Sequence, residues 1–199
     1  FLIHCRMTGK TVLDGDRSRK ARLWIEVGSG ASVAFVDPRR FGEFTLVPTE
    51  SLPTLFDAKS LGPEPWPMRR DGTWWALALK GIRSPIKTAL MRQDRVAGIG
   101  NILASESLFL ARVHPCRPSI TLDGSEWERV ADAVYRVISR TIDAESGDEI
   151  AYVNMGGEGS FLVYGHEGQP CPQCGHRIAR IVQSGRSTFY CSACVGGDR

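Results

Sequence analysis

An α+β fold is predicted, with antiparallel strands first, helices next and a small metal-stapled β-hairpin last. Three observations predict it. Residues 1–48 alternate apolar and polar side chains between turn signals, and from Trp74 onward the apolar positions change to helical spacing. Near the end of the 199-residue chain, the pairs Cys171/Cys174 and Cys191/Cys194 stand sixteen residues apart.

Taken in order, residues 1–48 hold four strand signals, at Phe1–Met7, Ala21–Val27, Ser32–Val36 and Glu43–Val47, with Gly28-Ser29-Gly30 as a turn. The chain begins inside the first of these, so an upstream segment is expected. Residues 49–73 are proline-rich and read as a linker around one short helix. Residues 74–153 form the helical part. Ser84 and Pro85 predict a helix start, the hydroxyl capping and the proline fitting the first turn. Gly98-Ile99-Gly100-Asn101 opens a second helix with Ile102, Leu103, Phe109, Leu110 and Val113 on one stripe. Ser125 and Glu128 predict a capping box for a third, whose stripe positions are Trp127, Val130, Val134, Ile138 and Thr141/Ile142. Residues 154–165 read as a glycine-rich loop and connector, and residues 166–199 as the hairpin unit.

Two Cys-x2-Cys pairs at this separation make two knuckles whose four thiolates close a tetrahedron around one ion, so one structural Zn2+ is expected on Cys171, Cys174, Cys191 and Cys194. The knuckle spacing disfavours the rival reading, a pair of disulfides. Between the knuckles, His176–Gln183 and Arg186–Tyr190 read as strands joined at Ser184-Gly185, which sets Arg186 beside the tip. Cys5 and Cys116 have no neighbouring cysteine and read as reduced, which points to an intracellular compartment. No apolar run reaches membrane-spanning length.

Charge is unevenly spread. Residues 80–117 carry seven Lys or Arg against Asp94 and Glu106, whereas residues 118–160 carry nine acids against three Arg. The pattern fits a surface with one side facing a polyanion, or ordinary solvated charge. Lys87 falls in the first turn after Ser84-Pro85, where the helix dipole disfavours a cation unless an external anion shares that helix end; a merely solvated lysine is the other reading. Ala97–Asn101 offers backbone N–H groups and a side-chain amide at a helix start, a ready phosphate nest. Asp37-Pro-Arg-Arg-Phe-Gly42 puts Arg39 and Phe41 in a tight excursion, suited either to entering a base stack or to an inward-packed turn. Arg180 and Arg186 are further candidate phosphate contacts. No Ser/His/Asp set, HExxH or Walker loop is present, so no catalytic residue is assigned in this chain. Glu106 and the acids after residue 122 read as ordinary helix surface.

In this order the motifs Ile3–Gly9, Asp37–Gly42, Leu61-Gly-Pro-Glu-Pro65, Val96–Glu106, Val163-Tyr-Gly165 and the ribbon with Gly185–Cys191 resemble the bacterial formamidopyrimidine-DNA glycosylases over nearly the whole chain. The resemblance implies a β-sandwich, here partial, then a helix–two-turns–helix domain and a zinc ribbon. It implies a cytoplasmic, nucleoid-associated bacterial monomer bound to duplex DNA that contains an oxidised purine or an abasic site. The implied activity is a base-excision glycosylase with β,δ-eliminating AP lyase chemistry. A non-catalytic module that binds damaged DNA is the alternative, because the family's N-terminal proline nucleophile and adjacent glutamate have no counterpart in these residues. By resemblance, His4, Lys87, Asn101, Tyr164, Arg180 and Arg186 hold phosphates. Met7, Arg39 and Phe41 fill the void of a flipped base, Arg39 facing the estranged cytosine, and residues 154–160 cap that base.

Overall fold

The computed structural model describes residues 1–6, 9–13, 21–26, 28, 30–58, 60–144 and 161–196. Two compact units divide the chain, Phe1–Ala58 and Lys59–Arg199.

In the first unit, β1 (Leu2–His4) pairs antiparallel with β5 (Glu43–Thr45), His4 opposite Glu43. A second sheet has the order β2–β4–β3, formed by β2 (Lys10–Leu13), β3 (Ala21–Glu26) and β4 (Ser32–Val36). The central strand carries Val33-Ala-Phe-Val36 and buries Ala34 and Phe35, as a strand flanked on both edges requires. The first and last strands are shorter than predicted, and β2 carried no strand signal strong enough to read. A 3-10 turn at Thr49–Ser51 and α1 (Leu52–Ala58) end the unit, the helix lying where the linker was expected to hold one.

Among the described residues, the second unit holds four α-helices and a two-stranded hairpin, with one shared helix at the centre. α2 (Gly72–Ala78) starts where the Asp71 carboxylate accepts the Trp74 N–H at 2.7 Å. α3 (Ile86–Leu90) is a single short turn, and α4 (Asn101–Ala111) follows the glycine turn. α5 (Gly124–Ala144) packs against both α2 and α4. The core gathers Trp75, Leu79, Ile86, Leu90, Ile99, Leu108, Val130 and Val134. β6 (Ala179–Gln183) and β7 (Arg186–Tyr190) form the ribbon hairpin, Gln183 opposite Arg186. Ser184 and Gly185 both have positive φ, 48° and 74°. That is the two-residue turn whose twist matches a hairpin, and Gly185 takes its second position without steric cost.

Three local expectations need correction. The α5 capping box is Asp123 with Glu126, two residues earlier than Ser125 with Glu128: Asp123 Oδ1 accepts the Glu126 N–H at 2.9 Å and Glu126 Oε2 accepts the Asp123 N–H at 2.9 Å. Glu128 instead accepts the Gly72 N–H at 2.6 Å and pairs with Arg69, joining α5 to the start of α2. Ser84 does not cap α3, whose first N–H groups go to backbone carbonyls: Ile86 N–H donates to Arg117 O at 2.7 Å and Lys87 N–H to Pro115 O at 3.4 Å. The α4 stripe is also too narrow. Ala104 through Phe109 are all buried, so the helix is enclosed on most sides; of the Thr141/Ile142 pair on α5, Thr141 is half-buried and Ile142 exposed.

Candidate nucleic-acid interface

In the first unit, the Asp37–Gly42 turn is held by a buried carboxylate. Asp37 Oδ2 accepts the Gly42 N–H at 2.6 Å, and its carbonyl accepts the Arg40 N–H at 3.3 Å and Arg22 Nε at 3.1 Å. Arg40 takes a left-handed conformation, φ 61°. The turn is further closed at Gly42, where a side chain would run into the Phe35 ring. Held this way, Arg39 lies over the Phe41 ring at 5.0 Å, and Phe41 is exposed. The aromatic packs outward, which removes the inward-packed reading. His4 lies on β1, its Nδ1 accepting the Arg6 N–H at 3.1 Å. Met7 and the residues 154–160 lie outside the described residues.

The second unit brings four of the predicted phosphate residues together. Lys87 is the pivot. It is buried, and its Nζ donates to Asn101 Oδ1 at 2.6 Å, Thr188 Oγ1 at 2.7 Å and Ser187 O at 3.2 Å. An ammonium has no acceptor, so the Asn101 oxygen must face it. The Asn101 Nδ2 then donates to Tyr164 Oη at 3.1 Å and Ser187 O at 3.0 Å. Arg186 lines a cavity of about 220 Å³ with Lys87, Thr88, Met91, Arg92, Gln183 and Ser184. Burial pushes the Lys87 ammonium down to about 8, Arg186 adds to the fall by repulsion, and Cys116 opposes it. Lys87 is therefore not a solvated lysine, and the first N–H groups of α3 are taken by the carbonyls of residues 115 and 117. The Lys87 ammonium ties α3 and α4 to β7.

Arg180 reaches the same strand: it donates to Ser187 Oγ at 3.0 Å and pairs with Glu167 at 3.5 Å, Arg180 and Glu167 both being exposed. The glycine turn before α4 is less open than the sequence suggests. Gln93 Oε1 accepts the Gly98 N–H at 2.9 Å, Gln93 Nε2 donates to Ile99 O at 2.9 Å, and the Ala97 N–H goes to Pro63 O at 3.1 Å. The Leu61–Pro65 motif thus braces the turn.

Glu106 is the residue the sequence reading missed. Fully buried on α4, it accepts backbone N–H groups from Leu162, Val163 and Tyr164 at 2.7–2.9 Å, and Arg140 lies 3.3 Å away. A signal existed: Glu106 is the lone charge in the stretch Asn101–Ala111, which is otherwise small or apolar.

The four cysteines fit a tetrahedral ion. Their sulfurs all lie within 4.8 Å of one another, with Cys171–Cys194 at 3.7 Å, Cys174–Cys191 at 3.5 Å and Cys174–Cys194 at 3.4 Å. Four Zn–S bonds of about 2.3 Å place sulfurs ~3.8 Å apart. The His176 N–H holds the Cys174 thiol down to about 7, while burial pushes Cys191 and Cys194 up, so a bound cation completes the thiolate set. The ribbon is a structural zinc site. No described helix is long and apolar enough to cross a membrane.

Short helices joined by tight turns, a four-thiolate finger and a cationic cluster between them define the class: an α+β, zinc-stapled helical protein. The comparisons agree. Residues 61–151 match the formamidopyrimidine-DNA glycosylase H2TH domain, and residues 168–195 match the zinc finger found in FPG and IleRS. A formamidopyrimidine-DNA glycosylase of Gluconobacter oxydans is 39% identical over 206 residues, which cover 98% of this chain and 74% of that protein. One from Cereibacter sphaeroides is 39% identical over 212 residues, covering 98% and 75%. Among solved structures, Lactococcus lactis Fpg in complex with abasic-site DNA superposes with a TM-score of 0.81 at 28% identity, covering 98% of this chain and 74% of that one. MutM in complex with carbocyclic 8-oxo-G DNA gives 0.82 at 29% identity, covering 98% and 73%. This chain belongs to the formamidopyrimidine-DNA glycosylase family.

Proposed function

We propose that this chain grips duplex DNA at an oxidised purine or abasic site for base-excision repair, in the bacterial cytoplasm at the nucleoid and as a monomer. One observation carries the reading: Lys87, Asn101, Tyr164 and Arg186 come from four separate segments and meet around Ser187–Thr188, with donors beside a small open cavity. Two of the four are cations, and a backbone phosphate is the anion that such a cluster in this family would take. His4 and Arg180 are proposed as further phosphate contacts. Met7, Arg39 and Phe41 would fill the space of a flipped base, and residues 154–160 would cap it. Excision and AP lyase cleavage are the chemistry of the family; the residues assigned here supply the binding.

The test is fluorescence anisotropy of the chain on a duplex with one abasic-site analogue and on the same duplex undamaged, over a salt series. Preference for the damaged duplex is expected. Arg186→Ala should lower the salt slope by about 0.9, one phosphate's worth. Equal affinity for the two duplexes, or an unchanged slope, overturns the assignment.

A further inference from the structure

Three consecutive backbone N–H groups, those of Leu162, Val163 and Tyr164, converge on the Glu106 carboxylate. Carbonyls or water would satisfy those donors more cheaply than a buried charge. What the carboxylate adds is geometry, because three charge-assisted bonds fix the backbone of Tyr164 against α4. The Tyr164 ring is then wedged edge-on against Phe189, centroids 4.9 Å apart. Its hydroxyl receives the Asn101 Nδ2 at 3.1 Å, and the other end of the same amide holds Lys87 at 2.6 Å. Glu106 and Asn101 sit five residues apart on one helix, so the path leaves α4, passes through residue 164, and returns to α4.

We infer that Glu106 is a positioning residue for phosphate binding: it seats Tyr164 and, through the tyrosine hydroxyl, sets the amide of Asn101. The inference rests on the DNA-binding reading above. A glutamine at 106 turns an NH2 toward at least one backbone N–H, so the seat is lost without loss of volume.

The experiment uses the full chain, an abasic-analogue duplex, and the variants Glu106→Gln, Asn101→Ala and their combination, with zinc content measured throughout. Glu106→Gln is expected to weaken binding about tenfold. Its salt slope should stay unchanged, because Lys87 and Arg186 keep their charges. In the Asn101→Ala background the same change should cost less than about twofold, since both act through one amide. A role confined to stability would instead leave the folded protein's affinity intact, or add its full effect in that background. Either result overturns the inference. If Glu106→Gln loses zinc or fails to fold, Glu106→Asp is read in its place: it keeps the charge, shortens the reach and must show the same non-additivity. Failure of the unmodified chain to bind sinks the DNA reading itself, whereas binding by the chain with wild-type affinity in both Glu106 variants sinks only this inference.

Discussion

Raising the pH from 7 to 9 is predicted to weaken binding to an abasic-analogue duplex about tenfold, through Lys87. Its ammonium is enclosed by Asn101, Ser187 and Thr188, and burial first, then repulsion from Arg186, lowers its pKa from 10.5 to about 8. At pH 9 the free protein therefore holds this amine about nine-tenths neutral. A phosphate beside it favours the charged form, so binding takes up a proton and affinity falls about twofold from pH 7 to 8 and about fivefold from pH 8 to 9. The stability of the free protein moves the opposite way. A lysine whose folded pKa lies below its unfolded value destabilises the fold in full below about pH 8, here by about 3 kcal/mol, and that cost is relieved as the pH climbs toward 10.5. Anisotropy at constant ionic strength and pH 7, 8 and 9 reads the first effect, and urea unfolding over the same range reads the second. Lys87→Met should bind more weakly at pH 7 and show no fall to pH 9. A flat profile for the unmodified chain, or an equal fall in the methionine variant, refutes the reasoning.

Other outcomes follow from the first unit and the ribbon. Asp37→Ala strips the Gly42 N–H of its acceptor at a buried site and should destabilise the first unit by about 1–3 kcal/mol, measured by urea unfolding; a loss below about 0.5 kcal/mol would show that another acceptor takes over. Gly42→Ala drives a methyl into the Phe35 ring and should cost about 1–3 kcal/mol in the same assay, with near-wild-type stability counting against the packing described. Chelating zinc should abolish DNA binding because Arg186, Ser187 and Thr188 all ride on the hairpin that the metal closes; re-addition of Zn2+ should restore it, and binding retained at zero zinc content would refute the coupling.

The ribbon was legible because its determinants are local. Knuckle spacing and a Ser-Gly turn act over a few residues, and both were found where they were expected. Lys87, Asn101 and Arg186 could be singled out as residues but not as a cluster, because the hydrogen bonds that tie Lys87 to Asn101 and to Thr188 on the strand that carries Arg186 span 14 and 101 positions. The capping box was misread for a simpler reason: Asp123-x-x-Glu126 and Ser125-x-x-Glu128 overlap, and only the tertiary pairing of Glu128 with Arg69 and Gly72 decides between them. Glu106 was taken for surface since a carboxylate on a helix is usually solvated. Its burial depends on donors from residues 162–164, more than fifty positions away, and no helical periodicity reports on those.

Phe109 of α4 carries a consequence for how this molecule comes apart. Its helix neighbours Ala104, Leu108 and Ala111 belong to the core shared with α2 and α5, yet Phe109 itself is packed with Val163, Cys171, Ile178, Phe189 and Cys191. The finger thus has no interior that is wholly its own, and one helix serves as a wall for both cores. Melting of the second unit should be a single cooperative event in a calorimeter, and withdrawal of the metal should shift the whole transition downward instead of splitting off a small early one.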